Sequence, residues 1–193
     1  MSAAVCALML CVAVTALYSA GQFVLFSYFA PYYKQTLSIT PTQLSLMFAW
    51  FGAFGFLGNF WVTRRIDKLG PPRTVAIAVS AMALSLALWP LGSSLMLAAV
   101  VVVPWALGCF SSNSAQQARL FAISPALASG SIALNSSAMY AGQALGAGTG
   151  GWLIAHGQMA QLHWAGLASL LLALGVSVLA TRAAQREAGS LAA

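Results

Sequence analysis

Long apolar runs alternate with short polar breaks marked by proline. Six runs can be drawn, over residues 4–30, 42–62, 74–91, 95–115, 126–154 and 161–180. Each approaches or exceeds the roughly 20 residues an α-helix needs to cross a bilayer. The pattern predicts an all-α membrane protein: a single domain over residues 1–193, with six transmembrane helices and a frayed polar tail over 181–193. The breaks carry helix signals. The first run ends at Pro31. The second opens on Thr40, Pro41 and Gln43, the N-cap, N1 and N3 of a capping box. Pro71-Pro72 leads into the third run and Trp89-Pro90 closes it. Pro104 lies inside the fourth, where neighbouring helices can satisfy the freed backbone. Ser124 and Pro125 read as N-cap and N1 of the fifth.

The fifth run has no charge and a stripe of small residues. Ala138, Gly142, Gly146 and Gly150 recur every four residues and so share one helical face. Glycine inside a helix costs about 1 kcal/mol in water, so three in register need a reason. Lipid supplies no hydrophobic drive for helix association, and small residues let backbones touch and gain dispersion contact. The stripe predicts either tight packing within its own bundle or a moving interface with a second one. Gly52, Gly55 and Gly58 form a similar series in the second run.

Composition excludes a soluble domain: 61% of residues are hydrophobic and 5% charged, against about 25% charged in soluble proteins. The net charge of +6 falls in the breaks and gives no argument for nucleic acid. Arg64, Arg65, Lys68, Arg73, Arg119, Arg182 and Arg186 fall on one side of the predicted membrane, and Lys34 alone on the other. The positive-inside rule then makes both termini cytoplasmic. Cys6, Cys11 and Cys109 sit in apolar runs without metal or disulfide spacing. His156 and His163 flank one connection and suit interfacial hydrogen bonding better than a metal, so no metal or cofactor is expected. Asp67 is the one acid before the tail, and an exposed ion pair with Arg64, Lys68 or Arg73 is its simplest role.

Asp67-Lys68-Leu69-Gly70, closed by Arg73, resembles the loop signature of the major facilitator superfamily. The fifth run, with Asn135, Ser136 and its glycines, resembles helix eleven of the drug and sugar efflux group of arabinose-efflux-permease type. The segment FSYFAPYY at residues 26–33 resembles that group's helix seven, and Gln116-Gln117-Ala118-Arg119 its helix-ten exit. The resemblance covers nearly the whole chain and implies the second half of a two-bundle transporter in a cell membrane, a bacterial inner membrane by analogy. Substrate would then lie between the halves near the midplane. Asp67, Lys68, Gly70 and Arg73 become a cytoplasmic gate. Gly52, Gly55, Gly58, Ala138, Gly142, Gly146 and Gly150 become surfaces left for a complementary six-helix half or, in a homodimer, a second copy. The initial Met is compatible with a natural half, a split transporter or a truncated gene.

Polar residues inside spans usually face protein or a water-filled cavity. Tyr18, Ser19, Gln22 and Phe26 share a face of the first run, and Trp105, Cys109, Ser112, Asn113 and Gln116 a face of the fourth. By resemblance these helices line the cavity, and Tyr18, Gln22, Phe26, Trp105, Ser112, Asn113 and Gln116 become substrate-binding candidates. Helix-to-helix glue is the competing role, at about 0.6 kcal/mol per hydrogen bond. An aromatic and amide lining suits small neutral or amphipathic molecules, and the resemblance to efflux permeases implies their export by alternating access. The predicted spans hold no Asp, Glu, Lys or Arg, which puts any proton-coupling acid in the other half. Two other classes compete with this reading. An intramembrane serine protease lacks its Gly-x-Ser-Gly motif here, and its base would have to reach the nucleophile. A non-transporting membrane protein that only associates with a partner is the second.

Overall fold

The computed structural model describes residues 3–192, with side chains over 5–186. Among them the regular structure is entirely helical: α1 (Ala3–Phe26), α2 (Phe29–Leu37), α3 (Pro41–Leu69), α4 (Pro71–Ala87), α5 (Leu95–Ile123), α6 (Ala128–Ala155) and α7 (Leu162–Ala192). Short 3₁₀ turns join α4 to α5, α5 to α6 and α6 to α7. The segments Val5–Phe26, Pro41–Leu69, Leu95–Ile123 and Met159–Arg186 are long and apolar enough to cross a membrane. Pro71–Ala87 is apolar but shorter. α6 has the length, and its glycine, serine and asparagine leave it less apolar.

Five expectations about the elements change, and one is that the second run continues past residue 62 as helix to Leu69, taking Arg64, Arg65 and Lys68 out of the connection. The first run is two helices, broken at Ser27 and Tyr28, with Pro31 in the first turn of α2, where its missing N–H leaves no ladder bond unmade. α5 continues past residue 115 to Ile123 and takes Arg119 into the helix. Pro125 opens a 3₁₀ turn rather than α6, and Ser124 makes no side-chain cap there. α7 runs on to Ala192 through the stretch read as a frayed tail. The capping box at α3 forms as its residues predict: the Gln43 amide N–H donates to Thr40 Oγ1 (3.3 Å), and the Thr40 N–H to Gln43 Oε1 (2.8 Å). Pro104 sits inside an unbroken α5. It removes the donor for Val100, and the carbonyls on either side of that residue are held from neighbouring helices. Trp50 Nε1 donates to the Ala99 carbonyl (2.9 Å) and Ser85 Oγ to the Val101 carbonyl (2.6 Å).

α1 packs on α6 and α7, α5 on α3 and α4, and α4 on α7. α1 also meets α5, so these two helices form the middle of the bundle. The glycine stripe sets the α1–α6 distance. A Cβ on Gly142 would meet the Ala16 backbone, on Gly146 the Ala20 backbone, and on Gly150 the Val24 carbonyl. Each step of four on α6 matches a step of four on α1, which makes the two helices parallel and in register. α7 lies on α1 in the opposite sense through a reciprocal pair: a Cβ on Gly21 would stand 2.8 Å from the Gly166 carbonyl, and one on Gly166 2.6 Å from the Gly21 carbonyl. Gly55 and Gly58 take up the Phe110 ring and the Leu107 backbone of α5. Gly142, Gly146, Gly150, Gly55 and Gly58 are therefore occupied within this bundle and do not form an empty surface. Gly52 and Gly148 face open space, and Ala138 is half-buried.

Filling a packed interior with extra methylenes costs about 1–3 kcal/mol, and more when the obstacle is backbone. Gly146→Leu is expected to reduce the folded fraction of the isolated chain in detergent, measured by its SDS-unfolding midpoint. An unchanged midpoint would place the stripe outside the bundle.

Candidate functional site

α1 and α5 meet along an antiparallel seam that holds the polar residues of both helices. Gln116 lies beside the turn of Cys11, its Nε2 donating to that carbonyl (2.5 Å). Ser112 reaches the level of Thr15 and Tyr18. Trp105 meets Phe26, with ring centroids 6.0 Å apart. α6 closes the seam through Asn135: Thr15 Oγ1 donates to Asn135 Oδ1 (2.5 Å), and Asn135 Nδ2 donates to Asn113 Oδ1 (3.5 Å). The spacing explains why sequence placed these groups together. Residues three and four apart on each helix turn to the same side, and burial of that side leaves their polar atoms only one another to bond.

Most of the substrate candidates are core. Trp105, Ser112 and Gln116 are wholly buried and Tyr18 nearly so, while Gln22 is 5% exposed. Phe26 and Asn113 are half-buried. Phe26 and Trp105 belong to an aromatic cluster at the α1–α2 break, where Phe29, Phe51 and Trp89 pack edge-on or tilted around Trp105 at centroid distances of 6.2, 5.3 and 5.7 Å. Asn113 and Gln116 make the helix-to-helix bonds of the glue role. A second group is different. Ser19 Oγ, Trp105 Nε1 and Gln116 Oε1 are buried without a hydrogen-bond partner among the described residues, and Tyr18 Oη, with the Thr15 and Ser112 hydroxyls beside it, makes no bond of full hydrogen-bond geometry. An unpartnered atom costs about 1–3 kcal/mol, so three along one seam call for an explanation.

Arg119 was missed. It was counted as a loop cation, yet it is 1% exposed near the end of α5. Its guanidinium donates to Ser177 Oγ (2.9 Å), the Ser177 carbonyl (2.9 Å) and Thr181 Oγ1 (2.8 Å), tying α5 to α7. It corrects the expectation that the spans hold no Asp, Glu, Lys or Arg. The signal was available: Leu120, Phe121 and Ile123 continue the apolar run beyond it.

The gate residues sit at the α3–α4 corner. Gly70 alone joins the two helices, with φ 81° and ψ 141°, a region only glycine enters without strain. Its carbonyl accepts from the Thr74 N–H (3.1 Å) and from Thr74 Oγ1 (2.9 Å). Asp67, Lys68 and Arg73 are exposed, and Asp67 makes no ion pair among the described residues. The local pair with Arg64, Lys68 or Arg73 is therefore not formed. Arg64 stands instead over the Phe60 ring at 4.0 Å. His156 Nδ1 lies 2.8 Å from the Trp152 carbonyl, while His163 is buried. The described residues contain no group of three His, Cys, Asp or Glu side chains placed to hold a metal.

A sequence model of the Major Facilitator Superfamily matches residues 11–191. The chain belongs to the major facilitator superfamily. It is also 26% identical over 176 residues to an uncharacterized MFS-type transporter, YbcL, of Bacillus subtilis (strain 168). That alignment takes in 91% of this chain and 45% of the relative, so the chain spans just under half the relative's length. Membership explains two features at once: apolar helices fit for a bilayer, and polar groups retained at depth where lipid would select against them.

The Arg119 tie yields a stability prediction. Hydrogen bonds to a charged group contribute about 1.5–3 kcal/mol each before the loss of packing is counted. Arg119→Met is expected to destabilise the bundle by about 2–4 kcal/mol in a detergent unfolding titration. Arg119→Lys should recover only part, because an ammonium lacks the planar fork that reaches Ser177 and Thr181 together. Wild-type stability in Arg119→Met would show a solvated head group.

Proposed function

We propose that the chain is the second six-helix half of an alternating-access transporter that exports small neutral or amphipathic molecules. The observation that carries this reading is the set of polar atoms on the α1–α5 seam left without a well-formed hydrogen bond: Ser19 Oγ, Trp105 Nε1 and Gln116 Oε1, with Tyr18 Oη beside the Thr15 and Ser112 hydroxyls. Donors and acceptors held without partners in one state are groups a substrate can satisfy in another. In this reading α1 and α5 part slightly when the site opens, and Gln22, Phe26 and Asn113, nearer the surface, make first contact. The seam carries hydroxyl, amide and indole groups and no carboxylate, which favours uncharged ligands. Arg119 already spends three donor bonds on α7.

Family membership and the span of just under half the relative support the half-transporter assignment. In this fold the site lies between two bundles that rock against each other, so the opposing wall comes from a second six-helix unit or a second copy. The faces left for it include the open Gly52 and Gly148 rather than the filled stripe. Asp67, exposed and unpaired, supplies the acidic half of a latch to that second unit, with Lys68, Gly70 and Arg73 fixing the corner. Both termini and this corner then face the cytoplasm, with the inner membrane of a bacterium the proposed location.

Flux into liposomes tests the proposal, with uncharged sugars and neutral amphipathic dyes as probes. At less than one copy per vesicle no saturable flux is expected. With the opposing bundle present flux should appear, and Tyr18→Phe should weaken apparent affinity about fivefold to thirtyfold for one lost hydrogen bond. Saturable flux from single copies would overturn the half-transporter reading.

A further inference from the structure

A groove of about 520 Å³ opens between α3, α4 and α5, on the side of the bundle away from α1, α6 and α7. α3 and α4 diverge from their single linking residue, Gly70, and α5 forms the floor. Leu57, Phe60 and Trp61 make one wall, and Ile77 and Ala81 the other. The lining holds one hydroxyl, that of Ser111, which donates to the Leu107 carbonyl of its own helix (2.7 Å). The groove therefore offers hydrocarbon contact and almost no hydrogen bonding. A sugar or other polar ligand would lose its water there without replacement.

One end of the groove is cationic. The Arg64 guanidinium stands 4.0 Å over the Phe60 ring and that of Arg65 5.2 Å over the Trp61 ring. Both rings are groove walls, so each charge lies one ring away from the apolar lining. Lys68 and Arg73 follow at the same corner, against the single carboxylate of Asp67, and none of the four cations is ion-paired among the described residues. An apolar groove with unpaired guanidinium groups on its wall rings is complementary to an amphiphile with an anionic head. Guanidinium groups take phosphate oxygens in pairs of parallel hydrogen bonds, which an ammonium cannot match.

We infer that the α3–α4–α5 groove is a binding site for an anionic phospholipid, with an acyl chain between Phe60, Trp61 and Ile77 and the phosphate on Arg64 and Arg65. The site is separate from the α1–α5 seam, since none of its lining residues lies on α1, α6 or α7, and it stands whether or not the transport proposal does. Lipid held there would wedge α3 from α4 beside the Gly70 corner.

Trp61 reports on the site directly. The purified chain is placed in phosphatidylcholine vesicles with a minor fraction of chain-brominated phosphatidylglycerol, or of chain-brominated phosphatidylcholine at the same mole fraction. The quenching lost in Trp61→Phe isolates this residue from the other tryptophans. Trp61 should be quenched more strongly by the anionic lipid, and the preference should fall about fivefold for each arginine removed in Arg64→Gln and Arg65→Gln. Both arginines are exposed, so these variants should keep wild-type circular dichroism. Ala81→Phe fills the groove with the charges intact and should lower quenching by both lipids. Equal quenching by the two lipids, or a preference that survives Arg64→Gln with Arg65→Gln, overturns the inference.

Discussion

The bundle depends on one kind of contact, helix backbone against helix backbone where side chains are absent. α6 lies on α1 at Gly142, Gly146 and Gly150, and α7 lies on α1 at Gly21 and Gly166. Lipid competes for every apolar surface, so ordinary leucine packing gives little net drive between helices in a membrane. Close approach changes that balance by adding dispersion contacts that an acyl chain cannot match. α1 is thereby held from two sides at a fixed depth and rotation. Its polar side, from Thr15 to Gln22, then faces α5, with Asn135 of α6 closing the seam at Thr15.

Fixing α1 brings the amides and hydroxyls of the seam into register with those of α5 and α6. Thr15, Asn135 and Asn113 form one short chain of bonds and Gln116 a separate clamp on Cys11. Lower down, Arg119 performs the same service between α5 and α7 with a charge in place of an amide. Bonds of this type are individually modest in membranes. Their value is positional: each is satisfied in one register of its helix pair. The unpartnered Ser19 and Trp105 atoms and Tyr18 Oη lie along the same seam, so rigidity and candidate function occupy one surface.

Much of this was legible in the residues. The capping box at Thr40 and the shared faces of Tyr18 with Gln22 and of Ser112 with Gln116 follow from known start signals and from a period of 3.6. The use of the glycine stripe was not legible, because a small-residue face reads the same whether its partner is α1 or a second bundle. Arg119 was misread for a similar reason: a lone cation near a predicted helix end looks like a topology signal until the apolar residues after it are given weight. The Gly21–Gly166 contact left almost no trace, since isolated glycines in apolar runs carry no period. The break at Ser27 lies four residues before Pro31, whose ring clashes with the i−4 carbonyl and whose missing N–H leaves that carbonyl no helical partner; the run read as ending at Pro31 is therefore interrupted one turn earlier.

The account stands or falls on the stripe being filled by the backbone of α1. A double-mutant cycle between α6 and α1 tests this most directly. A Cβ at Gly142 would stand 3.0 Å from the Ala16 Cα and closer still to its carbonyl oxygen, so the obstacle is main chain. The account predicts that Gly142→Ala is destabilising and that adding Ala16→Gly gives no rescue, with the double variant at least as unstable as Gly142→Ala alone in the same unfolding titration. Restoration of wild-type stability by Ala16→Gly would contradict it, because the contact would then run through a side chain that a rotated α1 could move away.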